Sequence, residues 1–367
     1  MPRTKEDLQK VNSGRVLYYD YLRVLDTLGV IFIHISMLRM YNMDVDSTDW
    51  TVNCVYDALS RWSVPMFVMI SGALFLSKDI SVNMIYKKYL PRIIVALIFW
   101  RFIYFLLKTG DPVQQFLSLF GDDAVSRFLD MIAGYRLFWF LPMLAGLYIC
   151  LPILKGITKN NTLCKYYLLL SFVVFLLLPQ VNDMIYRFGK VYIDSPGNLL
   201  FSKAEQSNLL LFLSFTFYFI CGYIISHTEF TKPVRIVIYA FGIAGVVFTV
   251  LSTFYLSLDA GHTVTTFFNF NRVSVMTSAV AVFELFKNIG FKQNFLSRFV
   301  SKLADYSFGV YLVHILIYEQ YVMRFDIPNG NGQSLFLTPI ISISLLFYSF
   351  VVSALLNRIP VIKKYIV

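Results

Sequence analysis

The first apolar stretch of the chain carries four ionisable side chains, which are costly in a membrane and mark a functional site by default. They are Asp20, Arg23, Asp26 and His34. His34 is about eleven residues after Arg23, and in an α-helix this spacing leaves the two side chains within about 20° of each other around the axis. They therefore share one face and are roughly 16 Å apart along the axis. Asp20 falls within about 60° of Arg23. This polar stripe predicts a reaction site or a pathway beside the helix.

The residue types in the stripe suit proton transfer next to a charged or polarised group. An imidazole titrates near neutrality, so His34 is a candidate general base or nucleophile. A guanidinium can hold phosphates or polarise a carbonyl group, which are the two roles open to Arg23. A structural alternative stays open, because Asp20 and Arg23 lie near one end of the stretch and could pair or extend to the membrane interface.

A second histidine, His314, lies in a late apolar stretch three residues after Tyr311. Two histidines at similar depth on different helices could share one cavity, so we predict that His314 lies near His34. Other polar residues in apolar stretches are less informative one by one. They are Arg61, Ser71, Arg101, Trp139, Asn269, Asn271 and Arg272.

Apolar helices are the elements that must position these side chains. Of the 367 residues, 57% are hydrophobic and 15% are charged, whereas about 25% of the residues in a soluble domain are charged. The apolar residues form stretches of roughly 18 to 25 residues, the length that crosses a bilayer as a helix. Backbone groups in lipid must be hydrogen-bonded internally, which favours helices. The predicted fold class is therefore all-α, a polytopic bundle of transmembrane helices.

We predict about ten spanning helices in one membrane domain of residues 1–367, with a polar tail at 1–15. The predicted spans are 18–38, 54–77, 89–107, 136–154, 165–181, 208–226, 234–256, 268–287, 303–323 and 335–356. With this count, loops rich in lysine and arginine alternate with acidic loops. Basic loops are typical of the cytoplasmic side, so both termini are predicted to be cytoplasmic.

Two local patterns have competing explanations. A basic cluster at the start of the third span follows from the cytoplasmic bias of basic residues, but a phosphate-rich ligand would also need such a cluster. Its members are Lys87, Lys88 and Arg92. In the second span, Pro65 could bend the helix beside a cavity, and Ser71-Gly72-Ala73 offers a close-packing surface. We favour packing for this span.

Several other classes of function are not indicated. The four cysteines lack the spacing of metal ligands, and no glycine-rich phosphate loop is present. The net charge of +10 is distributed over short loops and does not form a basic domain or tail. We therefore predict no metal, no bound cofactor and no nucleic-acid partner.

An ordered set of motifs resembles the membrane acyltransferase-3 family over roughly residues 15 to 357. The motifs are Tyr19-Asp20-Tyr21-Leu22-Arg23 with His34, Pro65-Met66-Phe67 with Ser71-Gly72-Ala73, Tyr89 with Pro91 and Arg92, Leu137-Phe138-Trp139-Phe140-Leu141 with Pro152, and Tyr311-Leu312-Val313-His314. The resemblance implies ten or eleven spans. It also implies transfer of an acyl group, often acetyl from acetyl-CoA, to surface glycans or lipid-linked sugars.

On this resemblance, the expected protein is a multi-pass O-acyltransferase of the bacterial inner or cytoplasmic membrane. Acyl-CoA is the expected co-substrate, and a cell-surface polysaccharide or lipid-linked glycan is the expected acceptor. The expected catalytic residues are His34, Arg23 and Asp20, with Asp20 orienting Arg23. The residues expected to bind acyl-CoA are Arg23, Lys87, Lys88 and Arg92. Those expected on the acceptor side are His314, Tyr311 and Trp139.

Two other functions use the same sequence features. A polysaccharide exporter or another membrane transporter would use the polar stripe as its pathway. A structural or sensory membrane subunit would tolerate loss of both Arg23 and His34.

Overall fold

The computed structural model of the protein describes residues 15–108, 110–121, 123–133, 136–189, 209–322 and 332–367. These ranges are predominantly helical and contain no β-strand. Eight helices in this part of the chain are long and apolar enough to cross a membrane. The prediction of an all-α transmembrane bundle is therefore confirmed. The count of ten spans, the single domain and the cytoplasmic termini stay predictions.

Each predicted span corresponds to a helix, or to a pair of consecutive helices, in the structure. In chain order the helices are α1 Leu17–Met40, α2 Thr48–Ser60, α3 Ser63–Leu76, α4 Val82–Leu107, α5 Pro112–Leu117, α6 Ala124–Ala133, α7 Phe140–Lys159, α8 Asn161–Gly189, α9 Leu209–His227, α10 Lys232–Ala260, α11 Val273–Asn288, α12 Phe295–Ile317, α13 Ser334–Leu356 and α14 Pro360–Tyr365. Helices α2 and α3 together form one candidate span, and α9 and α11 fall outside the eight.

Helix α1 lies inside the bundle and contacts α2, α3, α12 and α13. It runs parallel to α12, because Asp20 meets Ser301 near the start of both helices and His34 meets His314 further along. We call the end of the bundle near Asp20 and Ser301 the proximal end. The opposite end, where α1 finishes at Met40, is the distal end.

Small residues allow α3 and α9 to pack backbone against backbone. A Cβ atom on Gly72 of α3 would overlap the carbonyl oxygen of Phe219, and one on Gly222 of α9 would overlap that of Met69. Close approach through small residues is a common way for helices to associate in lipid. The packing interpretation of the Ser71-Gly72-Ala73 motif is therefore confirmed.

A hydrogen-bonded network joins α1, α2 and α13 at the distal end. The carboxylate of Asp49 accepts the backbone N–H groups of Ser334 at 2.7 Å and Gly332 at 3.0 Å. The Asn53 amide donates to the Ser334 hydroxyl at 3.1 Å, and Arg39 donates to the same hydroxyl at 3.1 Å. The Asp49 carboxylate thus lies at the start of α13, where a negative charge interacts favourably with the positive end of the helix dipole. This network fixes α1, α2 and α13 relative to one another at the distal end.

Candidate active site

A cavity of about 540 Å³ lies between α1, α3, α7 and α12. Most of its wall is apolar, and the polar side chains on the wall are few. They include Arg23, His34, Arg61, Ser71, Arg92, Tyr148, Asp305 and Tyr311. The structure thus places Arg23 and His34 on one cavity, as the helical spacing predicts. The polar stripe of α1 faces this space.

The guanidinium of Arg23 lies on the cavity wall and is partly buried. No hydrogen bond or ion pair joins it to another residue in the described part of the chain. A cation held this way, with apolar residues around it, is available for an anionic or strongly polar ligand. The geometry fits either of the roles predicted for Arg23.

Asp20 does not orient Arg23, which corrects the sequence-based expectation. Its carboxylate accepts from Arg15 at 2.6 and 3.0 Å and from the Ser301 hydroxyl at 2.6 Å. Burial alone would lower the pKa of Arg15, but its hydrogen bonds to Asp20 and Asp305 raise that pKa above the ordinary value. Asp20 is therefore committed to joining the start of α1 to α12, and it does not line the cavity.

Asp26 is fully buried on α1 and was not among the predicted site residues. Neither of its carboxylate oxygens has a hydrogen-bond partner in the described part of the chain. Its position is about 60° around the helix from Arg23. Buried polar groups are nearly always hydrogen-bonded, so an exception of this kind points to a functional constraint.

The two predicted histidines form a direct pair. Nδ1 of His34 lies 2.9 Å from Nε2 of His314, and the rings stack at a centroid distance of 5.0 Å. Nδ1 of His314 lies 2.8 Å from the carbonyl oxygen of Tyr311 and 3.2 Å from that of Val310. The prediction that His314 lies near His34 is therefore confirmed.

The hydrogen-bond partners determine the tautomer of each neutral ring. Carbonyl oxygens only accept, so Nδ1 of His314 carries its proton and Nε2 accepts. Nδ1 of His34 must then donate to that Nε2. Nε2 of His34 keeps its lone pair, on a residue that lines the cavity. This is the arrangement of a general base whose tautomer is fixed by a neighbour.

His314 itself has a different position from the one expected. It is fully buried and is not on the cavity wall. The expectation that His314 shapes the acceptor side is therefore corrected, because His34 stands between it and the cavity. The other two residues expected on the acceptor side, Tyr311 and Trp139, do line the cavity. Trp139 stacks on Phe270 at a centroid distance of 5.7 Å.

Arg61, a minor candidate from the sequence, is a major feature of the cavity wall. Asp57, fully buried one turn earlier on α2, binds its Nε and Nη2 atoms in a bidentate ion pair. Nη2 also lies 3.8 Å from Sδ of Met37, which is nearly one helical turn after His34. Because two of the three nitrogens are held by Asp57, the guanidinium is fixed and Nη1 is left for the cavity. The i, i+4 spacing of Asp57 and Arg61 in an apolar stretch was the signal available in the sequence.

The predicted basic cluster divides into two parts. Arg92 lines the cavity and donates to the Val367 carbonyl at 2.7 Å. Lys87 and Lys88 are exposed and lie outside the cavity wall. They belong to a π-helical turn, Ile85–Tyr89, which shifts the helical phase relative to Arg92. The expectation that both lysines share a site with Arg23 is therefore corrected.

The fold and the cavity define a multi-pass membrane protein with a histidine–arginine site inside its helix bundle. A family model described as an acyltransferase domain matches residues 16–358, which is nearly the whole chain. The chain belongs to the acyltransferase-3 family and is a membrane acyltransferase. Comparisons with curated proteins and with solved structures returned no match.

Proposed function

We propose that the protein transfers an acyl group, acetyl by preference, from acyl-CoA to a hydroxyl of a cell-surface polysaccharide or lipid-linked glycan. The observation that supports this is one cavity of about 540 Å³ that presents both the Arg23 guanidinium and the His34 imidazole. Acyl transfer to a hydroxyl needs a base, a site for the thioester and donors for the developing oxyanion. The cavity offers a candidate for each.

His34 acts as the base in this proposal. Its Nε2 takes the proton of the acceptor hydroxyl as the oxygen attacks the thioester carbonyl. The tetrahedral intermediate collapses, the carbon–sulfur bond breaks, and the proton on His34 passes to the leaving CoA thiolate. His314 acts as a positioning residue, because it accepts from Nδ1 of His34 at 2.9 Å and keeps Nε2 unprotonated before attack.

The two cavity arginines have separate roles. Arg61 is fixed by Asp57 and lies close to Met37, nearly one turn from His34, so its free N–H groups would stabilise the oxyanion. Arg23 lies about 16 Å from His34 along α1, toward the proximal end, and would bind the acyl-CoA with Arg92. The proximal end is the predicted cytoplasmic side, so the donor enters from the cytoplasm.

The acceptor approaches the opposite part of the cavity. Trp139 and Phe270 form a stacked aromatic wall there, which suits the apolar face of a sugar ring. Tyr311 lines the same cavity and could contact the acceptor. The setting proposed for this reaction is the cytoplasmic membrane of a bacterium.

The first experiment uses the full chain in nanodiscs with radiolabelled acetyl-CoA and cell-envelope glycans. We expect release of CoA thiol and label on a glycan, and a loss of about a thousandfold in rate for His34→Ala. Arg23→Ala should raise the KM for acetyl-CoA. The folded state of each variant is checked by thermal denaturation.

A folded wild-type protein that transfers no label from acetyl-CoA or succinyl-CoA to any glycan fraction would contradict the proposal. In that case an export assay would test the transporter alternative. Undiminished transfer by His34→Ala would remove that residue from the chemistry.

A further inference from the structure

A second cleft of about 240 Å³ lies at the proximal end, next to the cavity. Its polar lining residues are Arg15, Gln293, Ser297, Arg298, Ser301, Lys302 and Asp305. Asp305 lines both this cleft and the cavity, so the two spaces share a wall. The cleft and the cavity are therefore neighbours on either side of Asp305.

Helix α12 contributes residues to both the cleft and the cavity. The seven steps from Arg298 to Asp305 return to within about 20° of the same direction, and Lys302 is one turn from Arg298. Further along the same helix, Phe308 and Tyr311 line the cavity. The distance from Arg298 to Tyr311 along the helix axis is about 20 Å. Phe308 is about 80° and Tyr311 about 140° around the helix from Arg298, so the path from the basic cleft turns around α12 toward the cavity.

The charges in the cleft favour an anion. Asp305 is exposed, but its carboxylate accepts from Arg15 at 2.9 Å, which offsets its charge. Arg298 and Lys302 are exposed and have no ion pair in the described part of the chain. Arg92 shares the cavity wall with Asp305. The cleft and the adjoining cavity mouth therefore hold more cations than carboxylates.

The general bias of basic residues toward one membrane side does not explain why Arg298 and Lys302 both line the cleft. That bias acts on loops and needs no cavity. Lys87 and Lys88 illustrate it, since both are exposed and line neither space. Arg298 and Lys302 differ because they border a cleft that adjoins the cavity at Asp305.

We propose that the cleft bordered by Arg298 and Lys302 binds the phosphate groups of the acyl-CoA nucleotide. The flexible pantetheine arm then passes Asp305 and follows α12 to the thioester position near His34. This inference rests on the proposed function, and it replaces Lys87 and Lys88 as the phosphate ligands. Guanidinium and ammonium groups make strong charge-assisted hydrogen bonds to phosphate oxygens.

Direct binding is the test, because it does not depend on turnover. The affinity for CoA and for pantetheine, which lacks the nucleotide, is measured by calorimetry with the full chain in phosphatidylcholine nanodiscs. For Arg298→Gln/Lys302→Gln we expect about tenfold weaker CoA binding and unchanged pantetheine binding. The control is Lys159→Gln/Lys165→Gln, which removes two exposed lysines that border neither space.

Each other outcome has a definite meaning. Equal CoA affinity in the wild-type and Arg298→Gln/Lys302→Gln proteins would overturn the cleft assignment while leaving the proposed function intact. An effect that appears only in nanodiscs with anionic lipid would assign the cleft to a lipid headgroup and overturn the inference. Wild-type protein that binds CoA but transfers no acyl group would contradict the proposed function and leave the cleft assignment to stand on the binding data.

Discussion

Two polar clusters around α1 differ in how completely they are hydrogen-bonded. At the distal end, Asp49 accepts two backbone N–H groups, and the Asn53 side chain bonds to both Ser334 and Thr338. Along the middle of α1, Arg23 has no partner in the described part of the chain, and neither do the oxygens of Asp26. Both clusters are enclosed by apolar helices, yet only the side chains of Asp49 and Asn53 in the first are hydrogen-bonded to their surroundings.

This difference separates a structural role from a functional one. A buried polar group that is hydrogen-bonded contributes to stability, whereas one without a partner carries the cost of its desolvation. A protein retains that cost where a ligand uses the group, and function and stability then respond in opposite directions to substitution. Substitutions in the two clusters should therefore have distinguishable effects.

The largest effect on stability among the wall residues is expected from the Asp57–Arg61 pair. Arg61→Met leaves Asp57 buried and unpaired, so we expect a loss of about 3–5 kcal/mol in the free energy of unfolding. Asp57→Asn/Arg61→Met removes both charges and should recover most of that stability. If Arg61 stabilises the oxyanion, kcat of the double variant stays about a hundredfold below wild type.

Steady-state kinetics and thermal denaturation of both variants check this prediction. A double variant that regains kcat together with stability would show that Arg61 is structural. Arg61 would then resemble the residues of the distal cluster. A change confined to the KM of the acceptor would indicate an anionic group on the acceptor instead.

The next effect concerns the His34–His314 pair. The side-chain oxygen of glutamine can accept from Nδ1 of His34, so His314→Gln should keep the tautomer of His34 and lose less than tenfold in kcat. His314→Leu removes the acceptor and should lose on the order of tenfold to a hundredfold, with KM little changed. The measurement is kcat against pH for both variants, since a loss of tautomer control alters the profile and a packing defect does not. Equal losses in the two variants would contradict the positioning role.

Local periodicity explains which parts of the site were predictable. The shared face of Arg23 and His34 depends only on helix geometry, and the lengths of the apolar runs predicted a bundle of transmembrane helices. The partner of Asp20 depends on Ser301, which is 281 residues away in the chain, so no local pattern contains it. The exclusion of Lys87 and Lys88 depends on a π-helical turn whose extra residue per turn changes the phase of the helix.

A substitution in the distal cluster should lower the free energy of unfolding and leave the transfer rate nearly unchanged. Asn53→Ala leaves the Thr338 hydroxyl without its 2.8 Å bond to Asn53 and removes a donor to Ser334. We expect a loss of about 1–3 kcal/mol in the free energy of unfolding. The transfer rate per folded molecule should stay within about twofold of wild type, since Asn53 does not line the cavity. Thermal denaturation and specific activity are measured on the same preparation, and an activity loss larger than the folded fraction explains would place Asn53 with the functional cluster.

The smallest and most discriminating effect is expected at Asp26. Asp26→Asn keeps the shape of the side chain and removes a buried carboxyl group that has no hydrogen-bond partner in the described part of the chain. Stability should therefore rise by about 1 kcal/mol, or roughly 2 °C in Tm. The transfer rate should fall several-fold, because the carboxyl group lies about 60° around α1 from Arg23 and its dipole contributes to the field at that guanidinium. The matched control is Asp20→Asn. The wild-type Asp20 carboxylate is bonded to Arg15 and Ser301, so its loss should lower stability instead. If both variants lower stability, Asp26 belongs with the satisfied structural cluster, and the distinction drawn between the two regions of α1 fails at this residue.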